Sequence, residues 1–208
     1  MALKTFVKIS AVNNLSDARY CAGMQVNMIG FCLEESDKNF VSPDKFKEIT
    51  GWLSGVDYVA EWSHTHPERM LTLLKDYPEI KYIEVGEEIH LKMLVNTSYG
   101  IILHQKVENI NDIEDLIKKS SAVYNYNVTL LLQSETLELN GEVLKKIKEL
   151  SSKCQVLLGF GIEADSVFEL VESTGIKGIS IQGGDEIKPG LKDFDEMADI
   201  LESLELEE

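Results

Sequence analysis

The chain has 208 residues, with 36 Asp and Glu against 20 Lys and Arg, for a formal net charge of −16. With 44 % hydrophobic and 27 % charged residues it has the composition of a globular protein with core enough for one domain, taken as residues 1–208. The acid excess and the presence of only two arginines, Arg19 and Arg69, argue against a nucleic-acid partner, and no apolar run approaches the ~18 residues of a membrane span.

The N-terminal segment MALKTFVKIS lacks a signal-peptide profile. Cys21, Cys32 and Cys154 are odd in number, widely spaced and outside any C-x-x-C motif. They read as reduced thiols of a cytoplasmic protein, with neither a disulfide framework nor a zinc site.

Short apolar runs alternate with amphipathic stretches along the whole chain. Phe6 to Ser10 predicts a first strand and Leu15 to Ala22 a short helix; Met28 to Leu33 is the second strand. Ser42-Pro43 starts a helix that ends near Trp52, with serine as N-cap and proline at the first helical position. Asp57 to Trp62 is a third strand, a helix opens at Pro67, and Tyr82 to Val85 is a fourth strand. Glu87 to Val95 predicts a short helix with His90 on an exposed face, and Gly100 to Gln105 a fifth strand. Ile113, Leu116 and Ile117 at helical spacing precede the sixth strand, Val128 to Gln133. Val143, Leu144, Ile147 and Leu150 mark the next helix, and Gln155 to Gly161 the seventh strand. A helical face at Val167, Phe168, Leu170 and Val171 leads to the eighth strand, Gly178 to Gly184, and a last helix runs from about Asp193 toward Leu204.

Eight strand–helix units of about 26 residues each predict an α/β protein built as a parallel (β/α)8 TIM barrel. A doubly wound open sheet shares the alternation and stays open on periodicity alone. In the barrel, chemistry belongs at the C-terminal ends of the strands. There, Gly159 and Gly161 follow strand seven and Gly183 and Gly184 follow strand eight, the two loops that commonly hold a phosphate through backbone N–H groups. Glycines after strands also serve tight turns, and Asp185 and Glu186 oppose an anion unless they point away. His64-x-His66 invites a metal, but no third ligand is fixed by spacing and His66-Pro67 reads equally as a helix start; no metal is expected. Cys32, at the end of strand two, is either a packed small residue or a thiol base. Trp52 and Trp62 read as core or interface anchors.

These residues carry a resemblance. Val7-Lys8-Ile9-Ser10-Ala11 is similar to the V-K-I-C-G of the phosphoribosylanthranilate isomerase family of tryptophan biosynthesis. Leu15-Ser16-Asp17-Ala18, Ile29-Gly30-Phe31 and Phe40-Val41-Ser42-Pro43 match its next segments in order. Gly184-Asp185-Glu186, Pro189-Gly190 and Lys192-Asp193 follow its G-V-E…P-G-x-K-D pattern. The resemblance implies a single-domain barrel and an Amadori rearrangement of a phosphorylated aminosugar. In that reaction the family's cysteine is the base and an aspartate after strand six is the acid. Here the cysteine position is Ser10 and the aspartate position is Gln133. A hydroxyl has no thiolate-like form near neutral pH and a carboxamide has no titrating proton, so both roles are absent at those positions. Asn39 stands for an arginine, Ile83-Glu84-Val85-Gly86 for Q-L-H-G, the acidic Ser134 to Asn140 for a glycine-rich loop, and Ser180 for an aspartate.

Other groups could supply the chemistry. Glu84 and Glu61 sit near the ends of strands four and three, and His104 near the end of strand five. Lys8 shares the inward parity of Ser10 one pleat deeper, either as a partner that tunes Glu84 or as a paired structural charge of the barrel interior. Two classes of function therefore stay open: a phosphosugar isomerase, with altered proton-transfer residues where needed, and a non-catalytic barrel that binds a small phosphorylated sugar or another anion. Neither requires a cofactor, and the chain is expected as a monomer or homodimer.

Overall fold

The structure, a computed structural model, describes residues 2–183, 186–188, 191–192 and 195–206. Eight parallel strands follow one another in space as in sequence: β1 (Phe6–Ser10), β2 (Met28–Cys32), β3 (Asp57–Trp62), β4 (Ile80–Val85), β5 (Gly100–Lys106), β6 (Thr129–Gln133), β7 (Gln155–Leu158) and β8 (Gly178–Gln182). β8 pairs with β1, Phe6 opposite Gly178 and Ser10 opposite Gln182, so the sheet closes and the open doubly wound alternative falls away. Between and after the strands lie α1 (Leu15–Gly23), α2 (Pro43–Thr50), α3 (Pro67–Leu73), α4 (Leu91–Leu94), α5 (Ile110–Asn125), α6 (Gly141–Ser151), α7 (Val167–Thr174) and α8 (Asp195–Ser203). Among the described residues no helix is long and apolar enough to cross a membrane.

The helices start where their sequences allow. Asn14, Ser42, His66 and Asn140 each accept a backbone N–H of the following turn, and Pro43 and Pro67 occupy positions where no N–H is needed. Their apolar faces meet the outward side of the strands in the main core. There Phe31, Phe46, Tyr58 and Tyr77 pack edge to face and Trp62 donates its indole N–H to the Leu33 carbonyl at 2.9 Å.

Strand alternation divides the barrel interior into two storeys. Phe6, Met28, Val59, Tyr82, Ile102, Leu131 and Leu157 form an apolar plug separate from the outer core. Two residues further along the same strands, the next inward positions are Lys8, Gly30, Glu61, Glu84, His104, Gln133 and Gly159. A polar layer thus rests directly on an apolar floor, with its open side toward the C-terminal ends of the strands.

Several boundaries differ from the sequence expectations. β4 begins at Ile80, two residues early, where the pairing with β3 shifts register between Tyr58 and Val59. β7 stops at Leu158 and β8 at Gln182, and after β7 the chain turns away at Gly161, with φ +62°. Glu87 to Val95 is a 3-10 turn (Glu88–His90) followed by the single turn of α4. That turn buries His90 instead of exposing it, its ring 6.0 Å from that of His66. The strand pair β9 (Glu186–Lys188) and β10 (Leu191–Lys192) has no counterpart in the expected elements. Gly184, Asp185, Pro189, Gly190 and Asp193, which carry part of the resemblance and one expected phosphate contact, lie outside the described residues.

Candidate functional site

The polar layer converges on Lys8. Its ammonium is fully buried and lies 2.6 Å from Ser10 Oγ, 2.5 Å from Glu61 Oε1 and 2.8 Å from Glu84 Oε2. The ammonium donates hydrogen bonds to Ser10 and Glu61 and meets Glu84 as an ion pair. Ser10 Oγ lies in turn 3.2 Å from Ser180 Oγ on β8, and Glu61 Oε2 accepts the Ala11 N–H at 3.0 Å. Glu84 Oε1 sits 4.0 Å from His104 Nδ1, and the other ring nitrogen, Nε2, is buried with no hydrogen-bond partner among the described residues. Gly30 makes this possible: a Cβ there would collide with the Glu61 carboxylate. Lys8, Ser10, Glu61, Glu84 and His104 are therefore one cluster, as the parity of Lys8 and Ser10 allowed. The role of Gly30 was legible only through its neighbour: a residue without a side chain at an inward position is a sign that something from the next strand fills it.

One ammonium among two carboxylates leaves the buried cluster short of positive charge. Burial pushes the Glu61 carboxyl up from its usual range, Lys8 pulls it down, and the adjacent Glu84 pushes it up again. Burial depresses Lys8, but the two glutamates outweigh it and hold the ammonium above its ordinary value. His104 is held below the usual imidazole value, by burial first and by the Lys8 charge second, against the opposing pull of Glu61. It is thus neutral near pH 7.

Above the cluster, a cavity of about 370 Å³ is lined by Lys106, Gln133, Ser134, Thr136, Gly159 and Gln182, among others. A second, of about 240 Å³, lies between the ends of β7 and β8 and α8, with Gly161, Ser180, Gln182 and Glu196 on its wall. The two share Gly159 and Gln182 on their walls. The expected phosphate glycines divide. The N–H of Gly159 donates to Leu132 O and that of Gly183 to Ser10 O, each at 2.8 Å, and both are committed to the barrel. Gly161, in the left-handed region, borders the smaller cavity.

The remaining candidates do not assemble. His66 caps α3, and the loop before it is pinned by Glu34, whose carboxylate accepts from the N–H groups of His64 and Thr65 and from the Thr65 hydroxyl. Burial raises that carboxyl, but these hydrogen bonds prevail and hold it below its ordinary value. No group of three or more His, Cys, Asp or Glu side chains suited to a metal occurs among the described residues. Burial pushes the Cys32 thiol up to about 11, which leaves no thiolate to act as a base. Trp62 is buried and Trp52 is exposed.

No protein-family model matches the chain. Against an N-(5'-phosphoribosyl)anthranilate isomerase of Aquifex aeolicus it is 25 % identical over 197 residues, 94 % of this chain and 96 % of that one. The phosphoribosylanthranilate isomerase structure from Thermotoga maritima superposes with a TM-score of 0.77 at 21 % identity, over 96 % of this chain and 98 % of that one. A phosphoribosylanthranilate isomerase in complex with reduced 1-(o-carboxyphenylamino)-1-deoxyribulose 5-phosphate gives 0.76 at 20 % identity, with the same coverage. The ordered motifs, the closed eight-stranded barrel and these end-to-end matches make the chain a distant relative of the phosphoribosylanthranilate isomerases.

Proposed function

We propose that this chain, a single domain over 1–208, is a cytoplasmic phosphosugar-binding barrel of the phosphoribosylanthranilate isomerase type that does not perform the Amadori rearrangement. The observation that carries this reading is the bond from the Lys8 ammonium to the Ser10 hydroxyl, at 2.6 Å. Ser10 Oγ accepts a charged donor and is buried; an oxygen so engaged cannot take a proton from carbon. At the other family position Gln133 lines the larger cavity with an amide that hydrogen-bonds but does not titrate. Each missing proton-transfer group removes roughly 10²–10⁴ in rate, so losing both leaves no useful turnover.

Two features support retained binding. The larger cavity is walled by hydroxyls and carboxamides that suit a polyol, with Lys106 as a cation among its lining residues. The smaller cavity lies beside Gly161 and the ends of β7 and β8, where barrels commonly hold a phosphate, and a relative is known in complex with a 5-phosphate compound. Glu196 on its wall works against the anion, so affinity is expected to be modest. The test is a thermal-shift titration with ribose 5-phosphate and with inorganic phosphate at millimolar levels. A rise in Tm with the sugar phosphate supports binding. A flat response to both rejects it, and conversion of phosphoribosylanthranilate above background rejects the loss of turnover.

A further inference from the structure

The opposite end of the barrel carries a separate cavity. It measures about 290 Å³ and lies at the N-terminal ends of β6, β7 and β8, where Val128, Cys154 and Lys177, the residues just before those strands, meet the ends of α6 and α7. Its lining includes Lys153 and Lys177 but no Asp or Glu, in a chain with 36 acidic residues against 20 basic ones. Lys177 is half-buried. Its ammonium sits 4.6 Å from the centroid of the Phe6 ring and donates to Gln155 Oε1 at 3.0 Å. No carboxylate pairs with it among the described residues, and burial, with no charged neighbour to offset it, holds the amine below its ordinary value. Gln155 Oε1 also accepts the Thr129 hydroxyl at 3.1 Å, so the carboxamide is held by its oxygen and its Nε2 donors stay uncommitted among the described residues.

A lysine beside a helix C-terminus commonly offsets the negative end of that helix, but here hydroxyls and backbone N–H groups do so. Ser151 Oγ reaches Lys148 O and Thr174 O, Ser152 Oγ donates to Glu149 O, and the N–H groups of Lys153 and Cys154 donate to Leu150 O. The two ammoniums bond side chains instead, Lys153 in an exposed pair with Glu149 at 3.3 Å and Lys177 with Gln155. We propose that this cavity binds a compact oxyanion, a phosphate or a dicarboxylate, with Lys177 as its principal cation and Lys153 and the Gln155 amide as further donors. The anion supplies the counter-charge that Lys177 lacks, through charge-assisted hydrogen bonds that outweigh the exposed Lys153–Glu149 pair. Lys177 covers Phe6 of β1 and directly precedes Gly178 of β8, so a bound anion also ties down the β1–β8 seam. The net charge of −16 repels anions at long range and keeps the affinity modest. The site is on the face opposite the C-terminal cavities and does not rest on the phosphosugar reading.

The experiment titrates the isotope-labelled full chain with inorganic phosphate, and separately with succinate, at constant ionic strength, and follows backbone amide and lysine side-chain shifts by NMR. The expected result is a saturable shift at Asn127, Gln155 and Lys177 at millimolar levels, with the titration of Lys177 moved to higher pH when the anion is bound. The anion that saturates at the lower concentration identifies the head group. Lys177→Met should weaken binding by about tenfold or more and Lys153→Gln by about threefold, whereas Lys106→Gln on the other face should leave these shifts unchanged. The mapping is read in the wild type, so it decides the matter even if Lys177→Met loses Tm. Shifts at Asn127, Gln155 and Lys177 uphold the site whatever becomes of the phosphosugar reading. Shifts confined to the surroundings of Gly159 and Gln182 overturn this inference and leave that reading standing. No saturable shift with either anion, or equal binding by a folded Lys177→Met, also overturns it.

Discussion

Lys8 is the residue on which the interior depends. Two carboxylates share it, and removing it leaves both charged and buried. Lys8→Met should cost about 3–5 kcal/mol in urea denaturation, the usual cost of breaking a buried pair. Adding Glu61→Gln and Glu84→Gln should recover at least half of the loss; no recovery would mean that charge is not the cause. His104 gives a prediction with the opposite dependence on its partners. Its folded pKa lies below the unfolded 6.5, so its contribution to stability is present above that value and is lost as pH falls through the folded pKa. Glu61, raised in the folded state, works the other way: its contribution is complete below 4.5 and declines as pH rises. Comparison with His104→Gln isolates the imidazole: between pH 7.5 and 5 the wild type should lose stability relative to the variant, and parallel denaturation curves would contradict this. The sequence placed Lys8 and Ser10 on one face, but only closure of the barrel brings Glu61 of β3, Glu84 of β4 and His104 of β5 onto the same ammonium, a long-range fact that no local pattern carries.

At the scale of elements, the β1–β8 seam decides whether the barrel closes. Gly178 faces Phe6 so closely that a Cβ would strike the Phe6 carbonyl, a backbone atom that cannot rotate away. Gly178→Ala should therefore destabilise by more than the ~1–3 kcal/mol of ordinary overpacking, whereas Gly23→Ala in α1, with open space at its Cβ, should not; urea denaturation of both makes the comparison. Strands and helices were legible because parallel strands buried on both sides read as apolar runs and because Ser42-Pro43 and His66-Pro67 mark helix starts. What was not legible follows from tertiary pairing. The early start of β4 goes with a register shift against β3, and the N–H groups of Gly159 and Gly183, just past β7 and β8, are claimed by carbonyls of the adjacent strands β6 and β1. Those same bonds explain why a glycine after a strand is a poor indicator of a phosphate site by itself.

The whole molecule keeps the barrel of its relatives, with end-to-end coverage at low identity, and gathers Lys8, Glu61 and Glu84 inside it. The family's reaction needs a base on β1 and an acid on β6. Here β1 presents a hydroxyl held by Lys8, β6 presents a carboxamide, and the titrating groups stand on β3, β4 and β5. Fold and function are separable in principle, because side chains at the strand ends can be exchanged while the apolar storey beneath stays intact. The most direct measurement of the central claim is a single-turnover reaction with protein in excess over phosphoribosylanthranilate, run beside the Ser10→Cys/Gln133→Asp double variant. No conversion by the wild type beyond the protein-free control is the predicted result; conversion by the wild type at a rate above that control would contradict it.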